Sequence, residues 1–308
     1  MEAKIKRVLV TGSNGLLGQK LTDLYLTKKH KTLIATGRGE SRHPNTGTFI
    51  YERMDISNPE EVERVIKKHK PDCIIHGAAM TQVDDCEKDP ELCHMLNVKS
   101  VEYLTQAANE VGAHLILVST DFIFDGENGP YKESDIPSPL SIYGQSKLDA
   151  ENYVRAHAKS WSIARTVLVY GLVADMSRSN IVLWAKKALE EEQKINVVHD
   201  QYRSPTLAED LAMGCFLIED QNAEGIYNIS GKDFMNIFEL VQRVADYFGL
   251  STKHVRKISS KELNQPAKRP PVTGFDLSKS TNELGYNPHS FEEGIRLLMD
   301  QLKTYEKN

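Results

Sequence analysis

Tyr143 and Lys147 stand four residues apart in Tyr-Gly-Gln-Ser-Lys, and Ser119-Thr120-Asp121 closes an apolar run just upstream. Residues four apart share one face of a helix. A phenol and an ammonium can therefore be held side by side, with a hydroxyl arriving from a neighbouring strand. A free tyrosine, with a pKa near 10, is a poor proton donor at neutral pH. An ammonium about 5 Å away, at an effective dielectric near 20, attracts the phenolate by roughly 3 kcal/mol. That would lower the phenol by about two pKa units. The group then approaches the range useful for general acid catalysis. Catalytic roles are accordingly expected for Thr120, Tyr143 and Lys147.

The elements that must position these groups can be read from the chain. Arg7–Val10, Thr32–Ala35 and, more weakly, Phe49–Tyr51 read as strands, with an amphipathic stretch at Leu16–Leu26 between the first two. Asn58-Pro59-Glu60-Glu61 reads as a helix start, with a capping Asn, Pro in the first turn and acids near the positive end of the dipole; Pro71 ends that helix. Cys73–His76 is a strand, Asp89-Pro90-Glu91 opens a long helix to about Val111, and His114–Val118 is another strand. Asp125–Pro139 is a loop rich in Gly, Pro and acids. The helix carrying Tyr143 and Lys147 begins near Ser141, and Ile163–Val169 is a further strand. Such alternation predicts a parallel sheet with helices on both faces. Beyond about Gly171 the rhythm changes. Helices are expected at Ile181–Glu192, Asn236–Phe248 and Ser290–Tyr305, the last with a Ser290/Glu293 capping box, and strands at Ile195–Val198 and Gly225–Ile229. This divides the chain into a domain over 1–170, with a returning piece near 200–230, and a smaller discontinuous lobe over 171–308.

Between the first strand and first helix lies Thr11-Gly12-Ser13-Asn14-Gly15-Leu16-Leu17-Gly18. In that context, G-x-x-G-x-x-G predicts a tight turn that brings backbone and a helix N-terminus up to a pyrophosphate. Gly12, Ser13, Asn14, Gly15, Leu16 and Gly18 are therefore expected to contact a dinucleotide. After the second strand, Arg38 stands where a carboxylate would bind the ribose of NAD, and a guanidinium suits a 2′-phosphate. NADPH is favoured, and nearby Glu40 leaves NADH open.

The net charge of −5 gives no reason to expect nucleic acid. No apolar run approaches the roughly 20 residues of a membrane span, and the amino terminus lacks the apolar core of a signal peptide. Four cysteines in 308 residues do not suggest a disulfide framework, so a cytoplasmic protein is expected. Cys86, Cys93 and His94 lack a tight zinc spacing, and no metal ligand is assigned; use of Mg²⁺ stays open. His76 reads as structural, and the basic run Lys67–Lys70 suits a helix C-terminus.

The chain resembles the extended short-chain dehydrogenase/reductases, and within them the dTDP-4-dehydrorhamnose reductases. The stretches that carry the likeness span nearly the whole chain: Thr11–Gly18, Ala78-Ala-Met-Thr-Gln-Val-Asp-Asp-Cys-Glu87, Ser119-Thr-Asp-Phe-Ile-Phe-Asp-Gly126, Tyr143–Lys147, Asp200-Gln-Tyr-Arg-Ser-Pro-Thr206 and Lys268-Arg-Pro270. The resemblance implies an α/β, Rossmann-like doubly wound parallel sheet with a smaller C-terminal substrate-binding lobe. It also implies NAD(P)H-dependent reduction of the C4 ketone of a nucleotide-linked 4-keto-6-deoxy sugar, in dTDP-rhamnose biosynthesis. Tyr143 would protonate the ketone oxygen, Lys147 would hold the nicotinamide ribose, Thr120 the carbonyl oxygen, and Asp121 the sugar. Asp55 and Ile56 would lie against adenine, and Ala78, Ala79 and Met80 would line the path to the nicotinamide. Asn97 would support the site. Arg203, Ser204, Thr206 and Arg269 fall in segments expected near the substrate. Related 4,6-dehydratases carry Thr-Asp-Glu, whereas Phe122 here cannot supply that second acid, which favours simple reduction. Three alternatives stay open: a dinucleotide-bound regulatory subunit like that of methionine adenosyltransferase, a reductase of another nucleotide sugar, and an epimerase. A homodimer is also left open.

Overall fold

The computed structural model describes residues 5–174, 180–263 and 265–305; residues 1–4, part of the amino terminus read above for a leader, lie outside them. The first half alternates as expected. Strand β1 (Lys6–Thr11) leads to helix α1 (Leu16–Leu26), then β2 (Lys31–Gly37), β3 (Ile50–Arg53), α2 (Pro59–His69) and β4 (Cys73–His76). Short helices α3 (Val83–Lys88) and α4 (Pro90–His94) follow, and a π-turn at Met95–Lys99 joins α4 to α5 (Ser100–Val111). Next come β5 (His114–Thr120), α6 (Ile142–His157) and β6 (Trp161–Thr166).

The second half holds β7 (Val169–Tyr170), α7 (Ile181–Glu190), β8 (Ile195–Val198), β9 (Tyr202–Arg203), β10 (Thr206–Leu207), α8 (Ala208–Gln221), β11 (Gly225–Asn228), β12 (Met235–Asn236) and α9 (Ile237–Phe248). It ends with β13 (Val255–Ile258), α10 (Ser278–Leu284) and α11 (Phe291–Tyr305). Seven strands form one sheet in the order β11-β6-β5-β4-β1-β2-β3, every neighbouring pair parallel. β7 pairs β10, β9 pairs β12 and β8 pairs β13 in three small sheets.

Successive strand residues face opposite sides. Val8, Val10, Leu33 and Ile116 pack with Leu21, Tyr25, Leu211 and Ile218 of α1 and α8. Leu9, Ile34, Ile74, Leu115 and Leu117 pack on the other face with α2, α5 and α6. A third core joins α7, α9 and α11 over β8. Each fully buried aliphatic side chain is worth roughly 1.5–3 kcal/mol against exposure, so these three clusters are what hold the layers together.

Two expectations are corrected. The strand expected through Val169 stops at Thr166, because Leu168 takes φ 36° and turns the chain into β7. The long helix from Pro90 contains the π-turn. Among the described residues, no helix is long and apolar enough to cross a membrane.

Candidate active site

The glycine loop lies at the C-terminal end of β1. Gly12 has φ +70°, and a Cβ there would come 2.9 Å from the Cα of Ala78, so only glycine lets the two loops approach so closely. Gly15 caps α1 without a side-chain acceptor. The first N–H groups of α1 therefore face outward as an anion site. Ser13 donates from both N and Oγ to the Thr36 carbonyl, each at 3.0 Å. Asn14 braces the loop after β2, donating to the Glu40 carbonyl at 2.9 Å and accepting from the Arg42 N–H at 2.8 Å. Arg38 is exposed on that loop, and Glu40 lies 3.8 Å from Arg53. These features fit a dinucleotide with its pyrophosphate at α1. The Asp55 carboxylate accepts from Ser57, the Asp55 N–H donates to Glu61 at 2.8 Å, its carbonyl accepts from the Asn58 N–H at 3.1 Å, and Ile56 points into the core beside α2.

The loop after β4 carries Ala78, Ala79 and Met80, all half-buried. Thr11 accepts from the Ala78 N–H at 3.2 Å and meets His76 Nδ1 at 2.7 Å. His76 is buried, and burial first, then the charge of Lys147, holds it down to about 3. It is thus a neutral imidazole near pH 7. Asn97 sits in the π-turn, a feature often found at functional sites. Its side chain accepts from the Met80 N–H at 2.8 Å and donates to the Met80 carbonyl at 3.1 Å and Ser146 Oγ at 3.0 Å. It therefore ties the β4 loop to α6.

Thr120 ends β5, and Tyr143 and Lys147 lie on the first turns of α6; all three are buried. Ser141 caps α6 by accepting from the Gly144 N–H at 3.1 Å. A Cβ at Gly144 would lie 2.2 Å from the Phe122 carbonyl oxygen, so this glycine lets α6 close onto the 3-10 turn after Thr120. The motif Tyr-Gly-Gln-Ser-Lys contains that glycine, but its packing role has no signature in spacing alone. Phe122 packs edge-on against Tyr143, with ring centroids 5.8 Å apart.

The electrostatics correct one expectation. Burial raises the Tyr143 phenol, Asp121 and the thiols of Cys86 and Cys93 add to the rise, and only the hydrogen bond with Thr120 opposes it. Lys147 donates to the Val118 carbonyl at 2.7 Å, and burial pulls it down to about 8 against the opposing charge of Glu151. Glu151 is itself paired with buried Arg165 at 2.7 Å. Desolvation of a fully buried group shifts a pKa by up to 3–5 units, more than the roughly two units expected from the ammonium. Tyr143 therefore keeps its proton firmly.

Beside this trio opens a cavity of about 290 Å³, lined by Asp121, Phe122, Arg203 and Arg269 together with Trp184 and Gln201 of the second lobe. Asp121 is buried; Thr120 donates to it at 3.1 Å, Thr273 donates to it, and Arg203 Nε lies 3.8 Å away. Burial raises its carboxyl, with Arg203 opposing. Arg203 itself donates to the carbonyls of Tyr202, Pro270 and Pro271 at 2.7, 2.7 and 3.2 Å. Three of its five N–H groups are thus held by scaffold carbonyls. Thr206 lies away from the cavity walls; its hydroxyl donates to the Val167 carbonyl at 2.6 Å and joins β10 to the sheet. Ser204 is buried beside Gly274. Cys86 and Cys93 are buried with Sγ atoms 2.7 Å apart. Among the described residues, no group of three or more His, Cys, Asp or Glu gathers in a way that could hold a metal.

Comparison with known proteins agrees with this layout. The beta subunit of methionine adenosyltransferase 2 from Xenopus laevis is 35% identical over 94% of this chain and 86% of its own. A dTDP-4-dehydrorhamnose reductase structure from Clostridium acetobutylicum superposes with a TM-score of 0.84 at 28% identity, over 96% of this chain and 99% of that one. A dTDP-4-dehydrorhamnose reductase from Bacillus anthracis, solved in complex with NADP, gives 0.81 at 28% identity, over 96% and 99%. The seven-stranded parallel sheet, the glycine loop and the tyrosine–lysine helix are thus those of an extended short-chain dehydrogenase/reductase. The model of the RmlD substrate binding domain matches residues 6–304, and the protein belongs to that family.

Proposed function

We propose that the protein is an NAD(P)H-dependent reductase of the C4 ketone of a nucleotide-linked 4-keto-6-deoxy sugar, with dTDP-4-dehydro-L-rhamnose as substrate and dTDP-L-rhamnose as product. The observation that carries this reading is the pairing of Thr120 at the end of β5 with Tyr143 on the helix that also bears Lys147, next to Asp121 and Phe122, which line the cavity. A dinucleotide held at the glycine loop would supply the hydride for C4. Thr120 holds the ketone oxygen, and Tyr143 gives its proton to that oxygen as negative charge develops there. The high affinity of Tyr143 for its proton delays transfer until the oxygen has become a strong base. Lys147 orients the ribose and lends positive charge beside the phenolate left behind. Phe122 offers no carboxyl for loss of water, which supports reduction rather than dehydration. Arg38 supports NADPH as the preferred donor, with Glu40 nearby.

The test is a panel of nucleotide 4-keto sugars with NADPH and NADH, followed at the nicotinamide absorbance band. Oxidation with the dTDP sugar is expected; none with any sugar would overturn the reading. The 35% identical relative is named as a subunit, which supports a second reading as an assembly partner that retains a dinucleotide. A stable complex with a methionine adenosyltransferase catalytic chain by size exclusion, together with no turnover, would favour it.

A further inference from the structure

A strap of residues 265–273 runs along the cavity and carries Arg269 into its wall. Its far half is well fastened. Tyr202 donates to the Pro271 carbonyl at 2.7 Å, Thr273 donates to the Tyr202 carbonyl at 3.1 Å, and Arg203 holds the Pro270 carbonyl at 2.7 Å. The near half, 265–269, has a different anchor. Among the described residues, its hydrogen bonds to distant parts of the chain all end on one carboxylate, that of Asp84. Asp84 accepts from the Ala267 N–H at 3.2 Å and from Arg269 Nη1 and Nη2 at 3.2 and 2.8 Å. It is the second residue of α3, which begins three residues after Met80.

Two further facts give this contact a use. Arg203 has committed its Nη groups to carbonyls, whereas Arg269 is gripped end-on and keeps its Nε–H for another partner. The Arg269 side chain is partly exposed, so it can meet a ligand in the cavity. A guanidinium fixed by a bidentate carboxylate loses little freedom when it binds a second anion.

We propose that Asp84 is a positioning residue that docks the near half of the strap and holds Arg269 for the diphosphate of a nucleotide-linked substrate. The substrate part rests on the reductase reading; the docking part does not. Asp84 touches neither the ketone nor the proton donor, so its loss should act on substrate affinity and spare the chemical step.

The test compares the full chain with Asp84→Asn and Asp84→Glu. Asparagine preserves size but cannot hold the guanidinium with two anionic oxygens. Hydrogen exchange of 265–269 should quicken about two- to fivefold in Asp84→Asn, as loss of one partly exposed ion pair implies, with 270–274 unchanged. KM for the nucleotide sugar should rise by about the same factor with kcat within about twofold, and glutamate should recover part of both effects. Unchanged exchange at 265–269 would overturn the docking. A fall in kcat at constant KM would overturn the role toward substrate. If no sugar is turned over by any form, the reductase reading fails, and the exchange arm still decides whether Asp84 docks the strap.

Discussion

The proton of Tyr143 sits between opposing influences of unequal size. Burial and the nearby Asp121 carboxylate favour the neutral phenol, while Thr120 favours its ionised form through one hydrogen bond. The ammonium of Lys147, four residues on, is itself weakened to about 8 by the same burial. In the proposed reaction the pair would work as a loaded donor rather than a standing phenolate. Tyr143→Phe removes the transferable proton and the hydrogen bond with Thr120, while the ring keeps its contact with Phe122. The variant should bind NADPH within about twofold of the parent, by fluorescence titration, and lose on the order of 10²-fold or more in turnover. Equal turnover would take Tyr143 out of the proton path.

At the level of elements, the features legible in the sequence are those with a local cause. Asn58 accepts from Glu60 and Glu61, Ser141 caps α6, and Ser290 and Glu293 form their reciprocal cap, as their spacing predicts. Cys73–His76 and Ile195–Val198 are strands to the residue. Features that depend on tertiary surroundings were not legible. α3 has only six residues, too few for a periodic signal. α8 is wedged between α1 and the sheet and buries residues around most of its circumference, so it shows no single apolar stripe. The π-turn differs from α-helix by one residue and leaves periodicity nearly intact. The bracing of Arg203 was equally hidden, because two of its three carbonyl partners lie 67 and 68 residues along the chain.

That π-turn presents Asn97 to both polar groups of Met80. Asn97→Ala would strand the Met80 N–H and carbonyl, at a cost of about 1–3 kcal/mol. Urea unfolding should show that loss. The dinucleotide should bind more weakly, because the β4 loop forms one wall of its expected path. Unaltered stability and dinucleotide affinity would mean that the loop holds itself.

Across the whole molecule, His76 links the site to acid stability. Its ordinary value of 6.5 falls to about 3 in the folded protein. Between those values the unfolded chain binds more protons than the native one, so stability rises with pH. The contribution is complete above about pH 6.5 and is lost as pH falls toward 3, at about 1.4 kcal/mol per pH unit. His76→Asn should flatten the slope of unfolding free energy between pH 4.5 and 6.5 by up to that amount, read from urea titrations. An unchanged slope would show that the imidazole is already charged in the native state.

The seventh strand is laid down late. β6 ends at Thr166, but its outer neighbour β11 closes only at Asn228, roughly sixty residues further along the chain. At about 5–20 residues per second, a ribosome needs several seconds to cover that distance. During that interval the nascent sheet offers β6 as an open edge, with backbone groups ready to pair with any passing strand. The hazard for this protein in a crowded translation system is therefore concentrated in a window of time, and chaperone occupancy would matter most between the emergence of the sixth strand and the arrival of the seventh.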